Sequence, residues 1–194
     1  HLSSNNLILS GIIVAAILSA GISFLKYLAD EHVSVIIFWL MGSFASRTWA
    51  DVMLTVVVVG IGFLVMQYYA RDLNLISLGN RTASSMGVDT ARVMLLLLIT
   101  ASVIAAVCVS VSGIIGFVGL LIPHMVRLIT GPDNRRLLPV SLLAGAILLL
   151  GADTVTRAIL PTEIPIGVLT ALIGGPVFCY IFRKRQKMLR GSTP

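Results

Sequence analysis

Runs of roughly 20 residues with scarcely a charge recur along this chain, and they restrict its fold more than any other feature. A helix needs about that length of apolar sequence to cross the hydrocarbon of a bilayer. Six stretches qualify: Leu7–Ala29, Val52–Ala70, Val93–Val111, Gly113–Ile129, Leu138–Leu160 and Ile164–Phe182. The third and fourth are divided only around Ser112, which predicts a tight turn. The fourth carries Pro123 and several glycines, which predicts a short or broken helix. A seventh apolar run, Val33–Ala45, is too short to cross and reads as an external interfacial or re-entrant helix.

Composition closes off the soluble alternative. Hydrophobic residues make up 57% of the 194 and charged residues only 11%. A soluble domain carries about 25% charged residues, so too few remain here to cover a water-facing surface. The expected fold is an all-α, polytopic transmembrane helical bundle, with residues 1–194 forming one membrane domain. Cys108 and Cys179 both sit inside apolar runs, which suits small buried side chains rather than a disulfide framework or a metal site. The chain opens on His1 and polar, uncharged residues rather than a basic leader, and it reads as a piece of a longer protein.

Basic residues set the expected orientation. With six spans, one face holds Arg71, Arg81, Arg92, Arg127, Arg135, Arg136, Arg183, Lys184, Arg185, Lys187 and Arg190, and the other holds Lys26, Arg47 and Arg157. The positive-inside rule makes the first face, with the C-terminus, cytoplasmic. The net charge of +6 is then a property of that face and of its anionic lipid, and calls for no nucleic acid.

Several segments carry more than a span requires. In Arg71–Arg92, residues Leu75, Leu78, Thr82, Ala83 and Met86 recur at helical spacing, with Gly79 and Gly87 as breakers, which fits two short helices. Their apolar face suits either docking into a partner's groove or lying on lipid. Gly113, Gly116 and Gly119 fall three apart, so a helix there would present one small-residue face. Pro123 is expected to break the ladder before His124 and Arg127; those two either cap the broken helix or serve as a proton relay or metal ligand. Asp153 and Arg157 have the spacing of a helical ion pair, yet an external arginine runs against the charge bias and is also open to a functional contact. Residues 161–178 pack three prolines and three glycines into one stretch, in the manner of pathway-lining broken helices or of plain packing devices.

No phosphate-binding loop, His-Glu-x-x-His or Gly-x-Ser-x-Gly occurs, so no catalytic, cofactor or metal residue is assigned. The spans hold almost no carboxylates, which disfavours an ion-coupled secondary carrier. A non-transporting scaffold or sensor is the third class.

The sequence Gly-Ile-Ile-Gly-Phe-Val-Gly-Leu-Leu-Ile-Pro-His-Met-Val-Arg (113–127), Leu-Leu-Pro (137–139) and Glu-Ile-Pro-Ile-Gly-Val-Leu-Thr-Ala-Leu-Ile-Gly-Gly-Pro-Val-Phe (163–178) closely resembles the iron-chelate and vitamin B12 permease family. These are membrane subunits of binding-protein-dependent ABC importers. The resemblance implies about six of roughly ten family spans, from the C-terminal portion, in the cytoplasmic membrane. Gly116, Gly119, Pro123, His124, Arg127, Pro165, Gly167 and Pro176 belong to the matching motifs. The family's coupling motif, Leu-Gly-x-x-x-Ala-x-x-Leu-Gly, matches Leu78, Gly79, Ala83, Met86 and Gly87, with Asn80 and Arg81 between them. Asn80 stands where an acid is common, and Met86 replaces leucine. The resemblance thus implies that 73–92 is a cytoplasmic coupling loop for two copies of an ABC ATPase subunit. It also implies a gate at Ser4 and Asn5, docking of a substrate-binding protein at Arg157, and a second permease subunit. The cargo class is a metal chelate: ferric siderophore first, with haem and vitamin B12 beside it.

Overall fold

The computed structural model describes residues 4–29, 32–159 and 165–190; the side chains of 4, 5, 7, 159, 180–182 and 184–190 lie outside that description. The chain divides after Leu40 into two units.

The first unit holds α1 (Ser4–Leu28) and α2 (Val33–Leu40). At a rise of 1.5 Å per residue, the 25 residues of α1 cover about 38 Å, more than the hydrocarbon core of a bilayer. Two of its hydroxyls turn back onto the helix: Ser10 Oγ donates to Asn6 O at 2.6 Å and Ser23 Oγ to Ser19 O at 2.9 Å. In hydrocarbon each polar group needs such an internal partner. The eight residues of α2 cover only about 12 Å and cannot cross; the apolar run that continues past Leu40 leaves the helix there.

The second unit holds α3 (Trp49–Tyr68), α4 (Ala70–Ser77), α5 (Asn80–Ser85), α6 (Thr90–Ser112), α7 (Val118–Thr130), α8 (Asn134–Ile159) and α9 (Ile166–Arg190). A capping box starts α3, with Thr48 Oγ1 accepting from the Asp51 N–H and Asp51 Oδ2 accepting from the Thr48 N–H. Thr55, Thr100 and Thr154 repeat the i−4 back-bond, each at 2.8 Å. The packing is helix on helix. Along α3, Gly62 is the buried residue that lets α6 approach: a Cβ there would lie 2.7 Å from Ile104 Cγ1. Between α7 and α8, Ile122, Val126 and Leu137 form a buried cluster, flanked by Val118 and Ala144.

Among the described residues, few large apolar side chains are buried. Ile8, Ile12, Leu64, Leu143, Ile147 and Leu172 are each more than half exposed. Water would not tolerate so continuous an apolar surface; lipid or further protein does. Among the described residues, Ile8–Leu28, Trp49–Tyr68, Thr90–Ser112 and Asn134–Ala158 are long and apolar enough to cross a membrane, with Val118–Thr130 and Ile166–Cys179 as shorter apolar helices. The chain is a multi-pass helical membrane protein.

The fourth apolar run is short, as its proline and glycines predicted: Gly113 caps α6 with φ 73°, residues 113–117 are not helical, and α7 covers only about 20 Å. Two local expectations are corrected. The glycines at 113, 116 and 119 therefore form no common helical face; only Gly119 lies in a helix. Nor does Pro123 break the helix. It sits inside α7, as Pro139 sits inside α8 and Pro176 inside α9.

Candidate functional site

The segment between α3 and α6 folds as a helical hairpin. Gly79 joins α4 to α5 with φ +119°, and Gly87 follows α5 with φ +87°. A Cβ at either would meet no close atom, so it is the backbone conformation that calls for glycine there. Ala83 is wholly buried, as is Ala70 at the start of α4. Leu78 and Met86 cap the ends of α4 and α5 and are 69% and 61% exposed. Asn80 and Arg81 open α5 and are exposed. The hairpin therefore rests on two alanines and presents two large apolar side chains with a cation beside them.

Polar side chains tie the base of this hairpin to the start of α8. The chain turns from α7 to α8 through Gly131, Pro132 and Asp133, with Gly131 at φ 80°. Asp133 caps α8: its Oδ1 accepts from the Arg135 N–H at 3.0 Å, and its carbonyl accepts from the Leu137 N–H at 2.9 Å. The same Oδ1 accepts from Asn74 Nδ2 on α4 at 2.7 Å. Asn74 Oδ1 accepts from the Asn134 N–H at 2.9 Å and from Asn134 Nδ2 at 2.8 Å. These partners fix the Asn74 amide, since a carboxylate only accepts and a backbone N–H only donates. The Asn74 hydrogen bond first, then the Arg135 N–H and the charges of Arg135 and Arg136, hold the Asp133 carboxyl below its ordinary pKa. A third tie comes from α3. Pro139 has no N–H for the carbonyl four residues back, Arg135 O; Gln67 Nε2 fills that vacancy at 3.0 Å.

At the other end of α8, Arg157 Nε donates to Asp153 Oδ2 at 2.9 Å, with Arg157 about half exposed. His124 is half-buried in α7, and Arg127 is exposed in its last turn, where a cation suits the helix dipole. Pro165 precedes α9. Gly167 lies where three backbone stretches cross: a Cβ on it would overlap Met41 O and lie 2.5 Å from Ile114 O. Its N–H points to Gly42 O at 3.4 Å. Phe117 has φ 65° and packs against Gly174, whose added Cβ would lie 2.6 Å from Phe117 Cβ. Beside it, α7, α8 and α9 line a half-open apolar cavity of about 240 Å³, with Leu121, Leu148, Val155 and Ile173 among its walls. Ser4 and Asn5 begin α1, and their side chains lie outside the described residues.

The predicted site residues of the second unit thus do not meet in one pocket. They fall into a hairpin, a glycine-rich crossing around α7 and α9, and an ion pair on α8. Sequence reasoning missed Gln67, Asn74, Asp133 and Asn134. The Gly-Pro-Asp-Asn run at 131–134 carries the helix stop and start signals that locate Asp133 as a cap; nothing local points to Asn74.

A family model for the FecCD transport family matches residues 1–184. The chain belongs to that family. It is 46% identical over 186 residues to the cobalamin import system permease protein BtuC of Halobacterium salinarum, covering 96% of this chain and 50% of that protein. It is 41% identical over 180 residues to the Fe(3+)-citrate import system permease protein YfmE of Bacillus subtilis, covering 92% and 54%. A solved structure of an inward-facing conformation of a metal-chelate type ABC transporter matches with a TM-score of 0.88 and 38% identity, over 94% of this chain and 62% of that one. The chain spans about half the length of the curated relatives it matches. Membership of the family places the hairpin, the crossing and α8 in a transport protein.

Proposed function

We propose that this chain is part of a permease subunit that carries a metal chelate inward across a cytoplasmic membrane in an ATP-driven importer. The observation that carries the reading is the α4–α5 hairpin, with Ala83 buried beneath it and Leu78 and Met86 exposed, in a protein whose relatives are import permeases. A rigid apolar tip beside Arg81 suits a groove on a separate ATPase subunit. Two copies of that ATPase, one per permease subunit, bind and hydrolyse ATP; this chain supplies path and coupling and no bond chemistry.

In this reading the hairpin and the C-terminus are cytoplasmic, and α2 lies at the external interface. The substrate-binding protein docks at the Arg157 end. Asp153 already neutralises that arginine, so docking adds or exchanges a carboxylate rather than meeting a bare charge. Ser4 and Asn5 form the cytoplasmic gate. A chelate hides its metal inside a multidentate organic ligand, so the path needs no metal-ligating side chains, and an apolar, weakly polar lining lets a large cargo slide.

The test is uptake into liposomes holding the whole permease and its ATPase, with binding protein outside and ATP inside. Labelled ferric siderophore, haem and cobalamin are compared. Accumulation of one chelate that requires both ATP and the binding protein is the expected result. Accumulation driven by an ion gradient without ATP would replace this reading with a secondary transporter.

A further inference from the structure

Among the described residues, the side chain of Asn74 links the hairpin to the first turn of α8. Asn74 uses both ends of its amide there, donating to Asp133 and accepting twice from Asn134. Gln67, at the end of α3 just before the hairpin, holds the carbonyl that Pro139 frees. Asp133 has two duties on one oxygen: it caps α8 through the Arg135 N–H and anchors α4 through Asn74. From that turn α8 runs for 26 residues, about 39 Å, past Asp153 and Arg157. The carbonyl that Pro139 leaves without a helical partner, Arg135 O, is held by Gln67, and beyond Pro139 the helix continues unbroken to Ile159, so a displacement of its first turn is carried toward its far end.

We propose that Asn74 and Asp133 form a clasp that transmits movement of the α4–α5 hairpin to α8, making both of them positioning residues for transport. The inference rests on the proposed transport function for its purpose, but the clasp itself is a mechanical link that can be tested without transport. It explains why α4 carries an asparagine facing a helix cap, where an apolar residue would serve mere packing. It also assigns α8 as the element connecting the hairpin to the Asp153–Arg157 pair.

Separating the two duties of Asp133 gives the test. Serine is a good helix N-cap but is too short to hold Asn74 as well. In the whole permease, Asp133→Ser should therefore keep α8 capped and release α4. Hydrogen exchange read on the permease alone should rise about tenfold across residues 70–77, while residues 135–137 keep their protection. With ATPase and binding protein added, basal ATP hydrolysis should stay within about twofold, while uptake and its stimulation by the binding protein fall about tenfold, a common size for coupling between sites. The exchange of partners, Asn74→Asp with Asp133→Asn, keeps a donor facing an acceptor across the clasp and should restore both readouts. Unchanged exchange in residues 70–77 of Asp133→Ser would overturn the clasp, whatever the permease transports. Wild-type uptake in Asp133→Ser, or no recovery on exchange of partners, would overturn its role in coupling. Absence of ATP-dependent uptake in the wild type would count against the transport function alone, and the exchange measurement would still judge the link.

Discussion

At the hairpin end, α8 is held by side chains that donate and accept hydrogen bonds; around Gly167, where α9 begins, three stretches of backbone are held together by the lack of a side chain. The two arrangements answer the same need, joining elements distant in sequence, by opposite means. Hydrogen-bonded side chains can be exchanged for others of matching donor and acceptor character, and they can part and re-form. A crossing with no room for a Cβ has no such tolerance and no alternative partner. The difference assigns movement to the first region and fixity to the second, and substitutions can break either assignment.

The largest effect is expected at the crossing. Gly167→Ala would drive a methyl into Met41 O and to within 2.5 Å of Ile114 O, both main-chain atoms. Overpacking against yielding side chains costs about 1–3 kcal/mol; backbone cannot yield as readily, so a loss at or above about 3 kcal/mol is expected. The fraction recovered folded and its thermal midpoint in detergent measure this. A stable Gly167→Ala protein would show that the crossing opens and would remove the contrast.

The second effect belongs to the tie from α3. Gln67→Leu strips the donor from Arg135 O, which Pro139 has already deprived of its helical partner. An unsatisfied carbonyl costs about 1–3 kcal/mol when buried; Arg135 is exposed, so water takes up part of that cost. Gln67 Oε1 is itself buried with no partner among the described residues, and leucine removes that oxygen too, which puts the net loss at or below about 1 kcal/mol. Adding Pro139→Ala returns an N–H to the helix and should recover most of the loss. A double-mutant cycle on thermal stability reads this coupling directly; strict additivity would show that Gln67 and Pro139 act apart.

Why these ties escape a reading of the sequence is a matter of range. The apolar runs behind α1, α3, α6 and α8 are continuous, and Gly79 and Gly87 punctuate the hairpin within a few residues of what they terminate. Such signals are local, so they are legible. The triplet Gly113, Gly116 and Gly119 is legible only as a spacing, and a helix and a turn can share it. Positive φ at Gly113 and at Phe117 decides for the turn, and no periodicity encodes that. Asn74 and Asp133 stand 59 positions apart, and neither residue type is unusual where it sits. The proline-freed carbonyl of Arg135 was predictable from Pro139, but its partner Gln67 was not.

A contact between helices that resembles the crossing only in part gives a smaller effect. At Gly62 an added Cβ would also fall too near its neighbour, but that neighbour is the side chain of Ile104, at Cγ1 and Cδ1, rather than backbone. Gly62→Ala gains up to about 1 kcal/mol of helix propensity, which offsets much of the clash. A net loss of about 1 kcal/mol or less is expected, relieved in part by Ile104→Val, which drops Cδ1 and keeps the γ carbon. A loss equal to that of Gly167→Ala would mean that side chains here are as immovable as backbone. On the polar side, acid should loosen the clasp. Asp133 has a depressed pKa in the folded protein, so its contribution is complete above the unfolded value of about 3.9 and is lost as pH falls through the lower folded value. Exchange across residues 70–77 should be insensitive to pH around neutrality, once corrected for intrinsic rates, and should rise only below about pH 4.

The smallest effect isolates what bridging adds to capping. Asp89 caps α6 much as Asp133 caps α8, its Oδ1 accepting from the Arg92 N–H at 3.2 Å. Its other oxygen meets Arg92 Nε at 3.0 Å, in a pair whose arginine is 90% exposed. It bridges no second helix in the way that Asp133 does. Asn is as good a cap as Asp, and an exposed ion pair one turn apart contributes about 0–1 kcal/mol. Asp89→Asn should therefore shift stability by no more than about 0.5 kcal/mol and leave exchange in α4 unchanged. If Asp89→Asn instead released α4 as strongly as Asp133→Ser, the hairpin would be governed by its caps in general, and the special place of the Asn74–Asp133 contact would be lost.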